Sequence, residues 1–365
     1  MPRRGMPPHP QRAKRGRDAF GPRRQAVNSG PARSRSVRTI AGHARPAIVA
    51  HADWSVDARK RWIARAVRTE GGGYKALAPE PVGDLESFFD RLAAAAGPGE
   101  TVFAGFDFPL GLPARYAEAA GIRHFAPSLQ QFGRGRWSKF YSPAGTSEEI
   151  NLHRPFYPER PGGTRHKHLI DALGVARIDD LRRTCDQPTD LRFAASPLFW
   201  TLGSQQVGKA AISGWRDLIA PARRTRRTLR IWPFDGALPT LLDRPGIVVA
   251  ETYPGEVYAH LHLRIGAANK SKRNPADRCE DAAPLLTWAA KAGIELSAAL
   301  AAEIRDGFGP ATDGEDRFDA TVGLFGMLNV VFGRRPPGDP TDPVTRNIEG
   351  WILGLNAAHL RPRAA

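Results

Sequence analysis

The sequence predicts an α/β protein: a mixed sheet flanked by helices and interrupted by a long basic insertion. Three observations predict this. Apolar runs of strand length alternate with amphipathic stretches of helix length. Two segments, 46–114 and 247–365, each carry a net charge of −2 and flank a middle segment, 115–246, of +9. The strong strand and helix signals fall in the flanks, whereas 113–195 is rich in Gly, Pro and Arg and has little periodicity.

Taken in order, residues 47–55 (AIVAHADWS) read as a buried strand. Residues 60–68 alternate and read as a second strand, and 74–79 as a third. A helix fits 84–96, with Asp84 as its cap and Leu85, Phe88, Phe89 and Leu92 as its apolar stripe. Gly97-Pro98-Gly99 ends it, and 101–108 forms the next apolar run. Residues 197–220 read as a helix, 228–232 and 247–251 as strands, and 294–306 and 316–333 as helices. The expected organisation is a basic tail (1–45), a core (46–114 and 247–335), an inserted subdomain (115–246) and a C-terminal extension (336–365).

Composition limits the function classes. The chain has 365 residues, 41% of them apolar, and a net charge of +16. No apolar run approaches the roughly 20 residues of a membrane span. Two cysteines, Cys185 and Cys279, are too few for a disulfide scaffold or a Cys-rich zinc module and fit a reducing cytoplasm. Residues 1–45 hold 12 Lys/Arg against one acid. Such a segment buries too little surface to offset its ordering entropy, so disorder is expected, and no apolar stretch behind it suggests a secretory leader.

Four acids share one kind of setting. Asp53, Asp107 and Glu251 each end an apolar strand run, and Asp319 lies early in the last strong helix. In open α/β sheets the crevice beyond the strand carboxyl ends is the usual ligand site. Period-two geometry is expected to aim Asp53, Asp107 and Glu251 into one space. Asp316, three residues before Asp319, shares its helix face and is a further candidate ligand. Gly323 and Gly326 continue that face, which suggests a close approach of helix to sheet. One such Asp is commonly a turn former. Converging carboxylates, however, repel one another unless a cation joins them, and oxygen-only ligands favour Mg²⁺ or Mn²⁺.

These residues carry a resemblance. The β-β-β-α-β order, with acids at the first and fourth strands and an Asp in a late helix, is similar to the RNase H-like fold. The segments AHADWS, FAGFDFPLGLP, ETYPGEVYAHL, DRFDATVGLFGML and IEGWILG resemble the domain-of-unknown-function 429 family, described as predicted RNase H-like nucleases. The resemblance covers about residues 46–355 and is most specific in FDFPLGLP and ETYP. It implies Asp53, Asp107, Glu251 and Asp319 as the acids of a metal site.

Other signals are weaker. Residues 203–210, GSQQVGKA, nearly spell a phosphate loop, but Ala210 stands where a metal-binding hydroxyl is needed. Gln205, Gln206 and Lys209 are candidate phosphate or sugar contacts, with a polar helix face as the plainer reading. Lys270, Lys272, Arg273 and Arg278 follow the Glu251 strand, and the last three are candidate phosphate clamps. Trp137, Phe140, Tyr141, Phe156 and Tyr157 interleave with bases. The insertion's own core is the preferred reading of these aromatics, and stacking on unpaired bases the alternative. His51 lies on the Asp53 face and completes no ligand set.

The function expected is divalent-metal-dependent cleavage of nucleic acid. Two alternatives are an actin-like-fold phosphotransferase or ATPase and a non-catalytic nucleic-acid-binding protein.

Overall fold

The computed structural model describes residues 43–203, 207–266 and 269–361. All but the last three residues of the expected basic tail lie outside them. Among the described residues, eight strands form one mixed sheet: β1 Ile48–Asp53, β2 Trp62–Arg68, β3 Tyr74–Ala76, β4 Glu80–Pro81, β5 Thr101–Phe106, β6 Leu229–Ile231, β7 Gly246–Glu251 and β8 Ile294–Leu296. The order is β6-β7-β5-β1-β2-β3-β8, with β4 paired to β2. β1, β2 and β3 are antiparallel neighbours, whereas β1, β5, β7 and β6 run parallel.

The parallel strands are apolar on both faces, which is why they read as continuous runs. Alternate residues divide between two cores. Ile48, Ala50 and Ala52, then Val102, Ala104 and Phe106, then Ile247 and Val249 face the first core, which also holds Phe125, Phe140, Phe156 and Trp215 from the middle of the chain. Val49, Phe103, Val248 and Ala250 face the second, which holds Phe318, Val322 and Phe325 of the long Gly314–Val331 helix. The expected insertion supplies much of the first core, adds Trp232, Leu238, Leu241 and Leu242 to the second and contributes the edge strand β6, so the sheet extends beyond the boundaries drawn from charge. Residues after 335 also join the body. Trp351 and Leu355 are buried, and Leu353 donates its N–H to the Glu251 carbonyl at 2.9 Å.

Three helix expectations are corrected. The 84–96 helix begins at Phe88, and Asp84 instead holds the preceding turn, accepting from Ser87 N at 2.8 Å. Of the expected 197–220 helix, the described helical residues run from Val207, and 197–203 are not helical. There, Tyr157 N donates to Phe199 O at 2.8 Å and Thr201 N to Tyr157 O at 3.0 Å, so these residues are committed to extended pairing. In the expected 294–306 helix, Gly293 closes the preceding helix Ala282–Ala292 at φ 68, Ile294–Leu296 pairs with β3, and Ser297 caps a shorter helix, Ala298–Arg305. Among the described residues no helix is long and apolar enough to cross a membrane.

The long helix packs on β1 and β2 across the second core. Gly323 allows its closest approach. A Cβ there would strike the ring of His51, whose Nδ1 lies 3.2 Å from the Ala320 carbonyl. Gly326 serves a different neighbour: its missing Cβ would lie 2.6 Å from Val257, on the short helix Pro254–His260.

A candidate acidic site at the sheet's carboxyl edge

Strand parity decides which acids meet. Asp53 continues the Val49–His51 face of β1, and Asp107 continues the Phe103–Gly105 face of β5. Ala52 pairs with Phe106 in register, so the next residues, Asp53 and Asp107, sit side by side on the long-helix face. Asp319 and Asp316 descend on them from the first turns of that helix. Asp53, Asp316 and Asp319 are buried, and Asp107 half-buried.

The cluster is crowded with negative charge. Burial raises Asp53 well above the usual carboxylate range, and Asp107, Asp319 and Asp316 raise it further against the pull of Lys272. Burial likewise pushes Asp107 up to about 7, against the lowering pull of hydrogen bonding with Asp53 and of Trp54 N, which donates to its Oδ1 at 2.7 Å. One proton between this pair relieves the repulsion. Burial, followed by Glu315, pushes Asp316 up to about 6, and its Oδ2 is buried with no hydrogen-bond partner. Asp319 is held from both sides, accepting from Tyr258 Oη at Oδ1 and ion-pairing with Lys272 Nζ at Oδ2.

Glu251 is not in this cluster. It shares the parity of Ile247 and Val249 and pairs in register with Phe106, so it faces the opposite core. There it meets Arg183 through two 2.6 Å bonds and accepts from Leu110 N at 2.7 Å. Asp186 takes Arg183 Nε and Nη2 at 2.9 and 2.8 Å. Burial pushes the Glu251 carboxyl up and the Arg183 fork pulls it down. The forked geometry is that of an ion pair. Thr252, one residue on, has the parity expected of Glu251, and its Oγ1 is buried without a partner.

The candidate substrate residues separate too. Lys272 reaches the acids. Arg278 is buried and committed to backbone, donating to Gly307 O and Gly309 O, both at 2.6 Å, and to Lys272 O, so it is a structural clamp. Arg273 is exposed, 3.5 Å from Glu315. Lys209 is half-buried in the Val207–Ser213 helix, and Gln205 and Gln206 lie outside the described residues. The interleaved aromatics form core, with Phe132 stacked on Phe140 at 3.8 Å. Sequence reasoning missed Tyr258 and Arg183. Tyr258 had one available signal, its place on a helix begun by Pro254 just beyond β7, whereas Arg183 lies in a segment without periodicity.

The donor set fits a hard divalent cation: carboxylate oxygens, one of them, Asp316 Oδ2, buried and unpartnered. As the side chains stand, no group of three or more His, Cys, Asp or Glu among the described residues is arranged to hold a metal. Lys272 supplies the positive charge instead. No protein-family model, curated protein or solved structure matches the chain, so the family resemblance stands on the quoted motifs alone.

Proposed function

We propose that this chain is a divalent-metal-dependent phosphodiesterase acting on nucleic acid, built on an RNase H-like sheet. The observation that carries the reading is the convergence of Asp53, Asp107 and Asp319 from two strand ends and one helix, where burial and repulsion push the Asp53 and Asp107 carboxyls up and Lys272 is paired with Asp319. The strand order β3-β2-β1-β5-β7, antiparallel and then parallel, supports the fold assignment. The exposed bases Arg134, Arg136, Lys139 and Arg160 support a polyanionic partner, since phosphate contacts supply sequence-independent affinity.

Asp53, Asp107 and Asp319 would hold Mg²⁺ or Mn²⁺, with Asp316 completing the set. When bound, such ions activate water and stabilise the leaving oxygen of a phosphodiester. The chain's own groups prepare the site. The Trp54 N–H fixes the Asp107 carboxylate at Oδ1, and the Trp54 indole is anchored to Ser213 Oγ at 2.9 Å. Tyr258 orients Asp319. Glu251 acts at a distance, because its bond to Leu110 N fixes the turn that follows Asp107.

The test is incubation of purified protein with a mixed panel of DNA and RNA, single-stranded, duplex and branched, in Mg²⁺, Mn²⁺ or EDTA. The expected result is metal-dependent cleavage that Asp107→Ala abolishes. Cleavage that survives Asp107→Ala, or no cleavage of any substrate in either metal, contradicts the reading.

A further inference from the structure

The acids of the site are not left bare. The Lys272 ammonium is paired to Asp319 and lies close enough to Asp53 and Asp107 to lower both. Its backbone is pinned, because its carbonyl accepts from the Arg278 guanidinium, which is itself fixed by the 307–309 loop. Its side chain is not pinned in the same way. It is 38% exposed, against 4% for Asp319, and its charge sits at the end of a flexible four-carbon stem. Asp316, within range of the Lys272 charge, has its Oδ2 buried with no partner, an acceptor that the lysine leaves unsatisfied.

We propose that Lys272 is a resident counter-cation that competes with a divalent ion for Asp319, and that on release its ammonium becomes a contact for substrate phosphate. This rests on reading the cluster as a cation site. The two cations exclude each other because both need Asp319 Oδ2, and their charges repel at that separation. The pinned backbone keeps the displaced ammonium within one stem length of the site, so the charge that guards the acids in the metal-free protein is already placed for a phosphate. Recruitment of the acids is thereby coupled to exposure of a phosphate donor.

Two measurements on the full chain test this. The first is Mn²⁺ binding by electron paramagnetic resonance for wild type, Lys272→Met and Lys272→Arg. Methionine keeps the stem without the charge, so Lys272→Met is expected to bind Mn²⁺ roughly tenfold more tightly or better, in line with loss of a contact-distance repulsion near a protein surface. Lys272→Arg is expected to remain near wild type. The second is acylation of lysines read by mass spectrometry, with exposed Lys139 as internal standard. Mg²⁺ is expected to raise Lys272 labelling several-fold. Equal Mn²⁺ affinity in wild type and Lys272→Met, or Lys272 labelling indifferent to bound metal, overturns the competition and leaves the metal site standing. Absence of Mn²⁺ binding in every protein overturns the metal-site reading and the competition with it.

Discussion

Glu251 and Asp107 end adjacent parallel strands and lie one register step apart, yet they belong to opposite kinds of electrostatic environment. Glu251 is on the face shared with the middle of the chain. There Glu251 accepts from both arms of the Arg183 fork and from the Leu110 N–H, and the other guanidinium hydrogens go to Asp186 and to the Leu110 and Glu349 carbonyls. Asp107 is on the long-helix face, beside Asp53, where burial and the Asp319 charge push its carboxyl up and a single lysine opposes them. A buried carboxylate with a fixed guanidinium partner ties segments together. A group of carboxylates with insufficient countercharge costs stability and makes sense where a cation is to be received. Equivalent places in the sequence pattern thus became a structural joint and a candidate site, and a one-residue difference in strand parity separates them.

Arg183→Met should have the largest effect. It leaves Glu251 and Asp186 buried without their cation, and removing one partner of a buried pair costs about 3–5 kcal/mol. Urea unfolding monitored by fluorescence checks this, and a loss below about 1 kcal/mol, the usual scale of an exposed pair, would erase the distinction between the two centres. Gly323→Ala comes next. The added methyl collides with the His51 ring, and overpacking of this kind costs about 1–3 kcal/mol. An unchanged melting temperature would mean that the helix does not pack as closely as described.

Neutralising one carboxylate in each centre should give opposite signs. Glu251→Gln should destabilise the protein, whereas Asp107→Asn, in EDTA at pH 8, should stabilise it by something on the order of 2 kcal/mol, the scale of one or two pKa units of relieved strain. Calorimetry of the two variants side by side sharpens the comparison, and equal signs would break it.

The pH dependence follows from the same cause. The folded-state pKa of Asp107, about 7, is raised above its ordinary value of 3.8, so the folded protein binds more protons than the unfolded chain between those limits. That contribution is complete below about pH 4 and is lost as pH rises through about 7. The metal-free protein should therefore lose stability from pH 5 to pH 8, and divalent metal should restore most at the alkaline end. Urea midpoints at the two pH values, in EDTA and in Mn²⁺, give the comparison directly, and a metal effect confined to pH 5 would contradict it. The smallest effect is expected from Arg273→Ala. Its side chain is 74% exposed, so stability should change by less than about 0.5 kcal/mol. Nucleic-acid binding should weaken a few-fold at low salt and converge with wild type as salt rises, the behaviour of a phosphate contact.

Much of this fold is legible in the chain because its central strands are short, apolar and sharply ended. Ile48–Asp53, Thr101–Phe106 and Gly246–Glu251 announce themselves by composition, and the long helix by its length. The pairing of Asp53 with Asp107 and Asp319 follows from those elements. What failed was the parity of Glu251. A strand buried on both faces has no polar alternation to show which side a terminal residue takes, and that depends on the register of β7 against β5. Long-range partners were also beyond reach: Arg183 comes from an aperiodic segment, and Tyr258 matters only through its contact with Asp319 from another helix. The 294–296 strand was hidden because a three-residue alternation, Ile294-Glu295-Leu296, is swallowed by the apolar helix that follows it.

The central claim is that Asp53, Asp107 and Asp319 receive a divalent cation where Lys272 now stands guard. The most direct measurement is an anomalous-difference map from crystals soaked in Mn²⁺ at pH 8. The account predicts a peak bounded by those three carboxylates, with the Lys272 side chain withdrawn from Asp319. A map with no peak there, or with manganese bound elsewhere while Lys272 keeps its pairing, would contradict it.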